Sequence, residues 1–389
     1  ISDEYHDACY VYGFRVNDGF FPSVDFSGSY QYRINKYDLD FGPGMSVEMD
    51  HNTYSLGATV SQPIYAGGQI YNNYKAAQVQ GKITEQAEEL TTDNIVYSAD
   101  LNYWTAAARK GMYDVMCQYV DIVGELANVL TIRFNDGQIS KTDLLQVESR
   151  LKEAELNKSS AYKEYQIALQ NLNSLMGVSP LDPIEVEDSI TTYLALPLQV
   201  GEDVALRNRP DYAISELNIE YQKRQINLSK AKYNPSLAIG FQGTWGTPML
   251  NVKGSDQLWT PAVFASLKIP LFRWGARFKE VNSQKAILRS KEYALDNTRD
   301  KIAQEVANAW TSLTEYTKQI TVAEEACKIA EENLDLNTFS YNEGKLPILD
   351  VLSAQLSWIQ SYSSLIQTWY QQKASLAQYN KAIGIRRLQ

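Results

Sequence analysis

The side chains best suited to chemistry are few. His6 and His51 are the only imidazoles among 389 residues, and neither sits in a serine, cysteine or carboxylate pattern that activates a nucleophile. Cys9, Cys117 and Cys327 share no CxxC or Cys/His spacing, so zinc is not expected. Cys117 and Cys327 read as isolated buried thiols. No glycine-rich phosphate loop is present. The expectation is therefore no enzyme, no metal and no cofactor. What the chain offers instead is a polar turn that occurs twice, Phe134-Asn135-Asp136-Gly137 and Tyr341-Asn342-Glu343-Gly344. Each is followed at the same spacing by an acid, Asp143 and Asp350. Ordinary helix–turn–helix chemistry accounts for such turns, since Asn, Asp and Gly tolerate positive φ. A carboxylate in the first turn of a helix is likewise favoured by the helix dipole.

The elements that must hold these turns follow from composition and repetition. The chain has 36 basic and 46 acidic side chains, a formal net charge of −10 and 44% hydrophobic residues. The acidic balance and the lack of a Lys/Arg stripe disfavour nucleic acid. No uncharged apolar run approaches the roughly 18 to 20 residues of a membrane-spanning helix, so membrane helices are not expected. One number is unusual: 26 Tyr against 11 Phe, an excess of rings with one wet end that suits surfaces meeting something half apolar. Residues 1–21 lack a basic region followed by an apolar core, so they do not read as a signal peptide. Cys9 follows His-Asp-Ala and does not read as a lipid anchor.

The chain is a tandem repeat. Pro63 matches Pro270, Gly137 matches Gly344 and Gly177 matches Gly384, each 207 residues apart. Loops tolerate insertions, whereas helices packed side by side do not, so the constant offset points to rigid helices between the anchors. Upstream, Pro22 matches Pro235 at a different offset, which places a length difference in a loop.

Each copy opens with two strands. From Ser23 to Asn35, Val24, Phe26, Gly28, Tyr30, Tyr32 and Ile34 alternate with Ser, Asp, Gln, Arg and Asn. From Thr53 to Ser61, Tyr54, Leu56, Ala58 and Val60 alternate with Thr, Ser and Gly. In the second copy Leu237, Ile239, Phe241 and Trp245 alternate with Ser236, Gly240, Gln242 and Thr244. The fourth strand, Trp259 to Ile269, is less clean because Phe264 falls on its polar face. Turn-rich loops are expected at Lys36 to Asn52 and Gly246 to Leu258. Each copy then runs into helices: Gly68 to Gly137 and Gly275 to Gly344 show apolar spacings of three and four with no proline, about 104 Å of helix each. The return legs reach Gly177 and Gly384, ~60 Å each. A connector, Val178 to Gly201, and one further helix, Glu202 to Tyr233, lead into the third strand. Connector and helix let two stacked shorter helices match one long outgoing helix.

Two architectures use such parts. One is a soluble elongated coiled-coil scaffold or adaptor with a small sheet buried on one face. The other puts the apolar sheet face in lipid, where strands of about 9 to 11 residues suffice and open edges are forbidden. Four strands cannot close a barrel. Two copies give eight strands with a filled interior, while three give twelve with room for a channel. Tyr32, Trp245 and Trp259 at one rim, and Tyr65, Phe272 and Trp274 at the other, are placed like interface girdles.

On Pro63-Ile64-Tyr65-Ala66-Gly67-Gly68, Asn208-Arg209-Pro210-Asp211 and the two hairpin turns, at their fixed spacing from Pro22 to Gly384, the chain resembles the TolC-like outer membrane efflux protein family. The resemblance implies a fold of two β-strands plus a long α-helical hairpin, repeated in tandem. It implies a homotrimer with a twelve-stranded outer membrane β-barrel on an α-helical periplasmic tunnel. It further implies a bacterial outer membrane location, with partners in a periplasmic adaptor (membrane fusion) protein, an inner-membrane transporter and outer membrane lipid. The function implied is a passive exit duct for efflux or type I secretion, powered by the partner. Segments then fall at 1–21 (N-terminal), 22–65 (strands), 66–177 (first hairpin), 178–201 (equatorial connector), 202–234 (helix), 235–273 (strands) and 274–389 (second hairpin).

The resemblance also assigns residues. Asp350 matches a constriction aspartate that a trimer would gather into a cation-attracting ring. Ser353 stands where a second aspartate is usual. Thr142, Asp143 and Tyr341 match latch residues between neighbouring helices. Leu346 stands where an arginine latch partner is expected, leaving Lys345 or Lys141 as substitutes. Asn135, Asp136, Gly137, Asn342, Glu343, Gly344 and Lys345 would form the adaptor-docking tip. Val24, Phe26, Tyr30, Tyr32, Leu56, Val60, Leu237, Ile239, Phe241 and Leu267 would face lipid. About 30 helical residues precede Pro235 but only 21 precede Pro22, so residues 1–21 read as a trimmed upper helix or a different start.

Overall fold

The structure, a computed structural model, describes residues 18–35, 38–40, 42, 46–247, 252 and 256–385. Cys9, His6 and most of segment 1–21 therefore lie outside the described residues, as do 386–389. After a 3-10 turn at Asp18–Phe20, the elements are β1 (Ser23–Tyr32), β2 (Asp38–Asp40), β3 (Ser46–Glu48), β4 (Asn52–Ala66), α1 (Gln69–Asn135) and α2 (Lys141–Met176). Then follow α3 (Glu202–Asn208), α4 (Pro210–Ala231), β5 (Ser236–Gly246), β6 (Leu258–Lys268), α5 (Ala276–Asn342) and α6 (Ile348–Ala382). They form two units, one of residues up to Glu88 with Ala213–Asn297, the other of Glu89–Tyr212 with the chain from Thr298 onward.

In the first unit, four strands pair antiparallel in the order β1-β4-β5-β6. Directly paired residues share a face, so the alternation within each strand adds up to one apolar and one polar side. β1 stops at Tyr32, short of the expected Asn35. β4 runs on through Pro63 to Ala66, beyond the expected Ser61, with a register irregularity between Pro63 and Tyr65. Proline has no N–H to give the ladder, so the strand continues past it only by slipping register. The turn-rich loop from Lys36 holds a short hairpin, β2 with β3, too brief for alternation to reveal. Phe264 does occupy the polar face: its ring lies over Gly240, whose missing side chain makes the room.

In the second unit the helices pack through three apolar clusters. Ala106, Val123, Ala154, Trp358 and Trp369 lie in the largest, with Val186 and Ile190 of the connector. By length and composition α1 qualifies as a membrane-crossing helix, contrary to the sequence expectation. However, buried core helices share that length and composition, and Val123 and Leu130, on the part of α1 in the second unit, are fully buried.

The expected single helix from Glu202 to Tyr233 is broken. Arg209 is extended at φ −82, ψ 122 between α3 and α4. The cause is Pro210, whose ring excludes the preceding residue from helical geometry and which supplies no N–H. The break aims the Arg209 fork at Asp211 through Nε–Oδ1 at 3.0 Å and Nη2–Oδ2 at 2.6 Å. Its Nη1 also donates to Glu305 Oε2 at 2.5 Å and to the Ala382 carbonyl at 3.4 Å. Asn-Arg-Pro-Asp is thus a staple: proline opens the chain and arginine ties α5 and the end of α6 across the opening.

The connector, residues 178–201, contains no helix or strand, so other groups must satisfy its carbonyls. Asn173 Nδ2 donates to Asp182 O at 2.8 Å, Lys110 Nζ to Val186 O at 2.8 Å and Tyr379 Oη to Leu198 O at 3.2 Å. Lys373 Nζ donates to Thr192 O.

Candidate functional site: the hairpin tips and the uncovered sheet face

Both hairpins turn by the same device. Gly137 N–H reaches Phe134 O at 2.9 Å and Gln138 N–H reaches Arg133 O at 2.8 Å. At the second tip Gly344 N–H reaches Tyr341 O and Lys345 N–H reaches Ser340 O, both at 2.9 Å. These paired bonds cap the last helical carbonyls and require a left-handed residue. Gly137 at φ 73 and Gly344 at φ 71 supply it. Asn135, Asp136, Gly137, Asn342, Glu343, Gly344 and Lys345 are all exposed.

Beneath the tips Leu126, Leu130, Leu144, Val147, Tyr341, Ile348 and Val351 form one cluster. Arg133 closes it over the top. Its guanidinium lies 5.2 Å from the Tyr341 ring centroid, and Nη2 donates to Asn342 Oδ1 at 3.2 Å. A single side chain of the first hairpin therefore holds two consecutive residues of the second. Lys141 covers the Phe134 ring at 5.1 Å.

The residues singled out by resemblance are distributed differently from a ready-made latch. Tyr341 is buried and meets Arg133. Asp143 bonds within its own helix: Ser140 Oγ accepts the Asp143 N–H at 3.1 Å, and Asp143 Oδ2 accepts the Ser140 N–H at 3.3 Å. This reciprocal capping box follows from Ser140 three residues before an acid, a signal present in the sequence and missed. Thr142 and Ser353 are exposed. Asp350 is exposed in the first turn of α6 and makes no ion pair among the described residues. Arg133 was also missed, because its hydrogen-bond partner Asn342 lies 209 residues away in the chain.

In the other unit, Val24, Phe26, Tyr30, Tyr32, Leu56, Val60, Leu237, Ile239, Phe241 and Leu267 share one face of the sheet by register. That face is bare: Val24 is 72%, Phe26 76% and Leu267 63% exposed. Trp259 lies across Gly243 on the same face. The opposite face carries Ser, Thr and Gln, with Ser29 and Ser55 hydroxyls 3.0 Å apart. Among the described residues β1 and β6 are the edges of the sheet, with no further strand paired to them. At the ends of the strands Leu271, Phe272 and Trp274 are exposed, and Trp274 takes φ 45 where β6 gives way to α5.

Comparison with known proteins is consistent over nearly the whole chain. The sequence profile of the family described as outer membrane efflux protein matches residues 16–178 and 203–385. Nodulation protein T of Rhizobium leguminosarum bv. trifolii is 25% identical over 260 residues, 65% of this chain and 55% of that protein. The match thus spans little more than half of that relative's length. Outer membrane efflux protein BepC of Brucella suis biovar 1 is 20% identical over 317 residues, 81% of this chain and 68% of BepC. Among solved structures, outer membrane protein VceC of Vibrio cholerae superposes with a TM-score of 0.80 at 16% identity. That superposition covers 98% of this chain and 91% of VceC.

Proposed function

Since the chain belongs to the outer membrane efflux protein family and is an outer membrane protein, we propose that it is one third of a trimeric export channel. The family is described as outer membrane efflux protein, and solved structures of similar fold include outer membrane channels. The observation that carries the reading is the four-stranded sheet with one bare apolar face and two open edges. Hydrocarbon tolerates such a face and no such edge. The alternating strand directions leave β6 antiparallel to the β1 of a following copy, so repetition extends the ladder and three copies close it at twelve strands. The ten apolar residues then face lipid, and the Ser/Thr/Gln face lines water.

The hairpin tips are the entrance, closed at rest and engaged by a periplasmic adaptor that couples to an inner-membrane transporter. Asp350 carboxylates from three copies form the constriction, and Ser353 in place of a second acid makes that ring weaker. The scaffold alternative buries the apolar sheet face within the molecule; here no described residue of its own unit covers it.

The experiment is extraction and reconstitution. The protein is expected in the outer membrane fraction, released by detergent as a heat-modifiable trimer that forms channels in planar bilayers. In those channels Asp350→Ala reduces cation selectivity. A water-soluble monomer rejects the channel; unchanged selectivity removes Asp350 from the constriction.

A further inference from the structure

Where β4, β5 and β6 meet α1 and α4, the first unit holds a cleft of about 340 Å³. Its lining includes Lys232, Lys268, Arg273, Gln69, Asn234 and Ser236. The register pairs Ser236 with both Lys268 and Ala66, so the cleft opens from the polar side of the sheet and not from its bare apolar face. Three cations line it, and among the described residues only Lys232 is ion-paired. Lys232 Nζ lies 2.5 Å from Glu280 Oε1, and Tyr233 Oη donates to Glu280 Oε2 at 2.9 Å. Those two donors hold the Glu280 carboxyl below its ordinary pKa, so it stays ionised and committed to Lys232. The Arg273 guanidinium stands 5.6 Å from the Tyr233 ring centroid. Neither Arg273 nor Lys268 makes an ion pair among the described residues. Asn234 is fixed by its own bond, Nδ2 to Gly67 O at 2.9 Å.

A protein with ten more acidic than basic groups has little electrostatic reason to leave two cations of one cleft without an ion pair among the described residues. A cleft lined by one sign of charge concentrates counter-ions. A forked guanidinium and an ammonium lining one cleft are a donor set that carboxylate and phosphate oxygens accept.

We propose that this cleft is a binding site for carboxylate- or phosphate-bearing solutes, with Lys268 and Arg273 as its ligating residues. It rests on the channel reading in one respect: the polar sheet face must line the water path for the bound anion to be cargo in transit. In a trimer three clefts would ring the junction between strands and helices, opposite in sign to the Asp350 ring. A polyvalent anion would then dwell at the junction and reduce the current of small ions.

Citrate tests both parts separately. Calorimetric titration of the detergent-purified full chain is expected to show one citrate per chain. Binding weakens at least tenfold in Lys268→Gln/Arg273→Gln and is largely kept in Lys268→Arg, with the heat-modifiable assembly intact in each. Absent citrate binding, or equal binding by the double variant, overturns the site. Displacement of citrate by phosphatidylglycerol micelles also overturns it, because the cleft would then serve lipid headgroups. Citrate that binds as expected to a protein forming no channel in planar bilayers leaves the site standing and removes the channel reading.

Discussion

Arg133 is the residue whose role the geometry defines most sharply. One cation–π contact and one hydrogen bond to Asn342 together stabilise the paired tips by about 1 to 2 kcal/mol. Since 1.4 kcal/mol is a factor of ten, Arg133→Ala is expected to raise the open probability in planar bilayers about tenfold. Arg133→Lys, which keeps the charge but loses the planar fork, falls between. Unchanged gating would show that the tips are held elsewhere. Lys373 offers a second test. It is 1% exposed, with its ammonium 4.8 Å and 5.3 Å from the Trp104 and Trp369 ring centroids. Burial pushes its pKa down to about 8, with Asp188 pulling the other way. Between that value and the unfolded value near 10.5, the unfolded chain holds a proton that the folded chain has released. Stability therefore rises with pH across this window, by about 2 kcal/mol from pH 8 to 10. Thermal unfolding followed by helical circular dichroism is expected to show this rise in the native chain and to lose it in Lys373→Met. Parallel pH profiles for the two proteins would contradict it.

At the scale of elements, two glycines of β5 make contrasting predictions. A Cβ on Gly243 would lie 2.2 Å from the Trp259 ring, a side chain that substitution removes. A Cβ on Gly240 would lie 2.5 Å from the Phe264 ring and also 2.5 Å from the Val60 carbonyl, which is backbone and stays. Gly243→Ala is therefore expected to lower the heat-stable oligomer on gels and Trp259→Ala to restore it, whereas Phe264→Ala does not restore Gly240→Ala. Rescue of both would show that the strands shift freely. The long strands and helices were legible in the sequence because each repeats one physical rule many times: period two for β1 and β5, spacings of three and four for α1 and α5. The break at Arg209 was legible too, since Pro210 announces it, and it was overlooked. The β2–β3 hairpin was not, because three-residue strands carry no period. Of the tips, the two glycine turns were readable at their fixed offset. Asp143's engagement with Ser140 was readable as a capping box and was read instead through the family. Arg133's grip was unreadable, because nothing local links it to residues in the other repeat.

At the scale of the whole molecule, the proposed channel makes this a sheet that other copies complete. Composition excluded nothing about β-barrels, because the apolar residues of lipid-facing strands are spread over every second position. The tyrosines divide: Tyr30 and Tyr32 stand 69% and 57% exposed on the bare sheet face, whereas Tyr119, Tyr341 and Tyr379 are core. The central claim is that one face of this sheet meets hydrocarbon and the other water. Spin labels placed singly at each position from Ser23 to Tyr32 in the reconstituted protein test it most directly, by collision with oxygen against a water-soluble nickel chelate. The expected result is strict alternation, with Val24, Phe26, Tyr30 and Tyr32 oxygen-accessible and Ser23, Asp25, Ser27 and Ser29 nickel-accessible. Equal accessibility along the strand, or burial of the Val24 and Phe26 positions from both reagents, would contradict it.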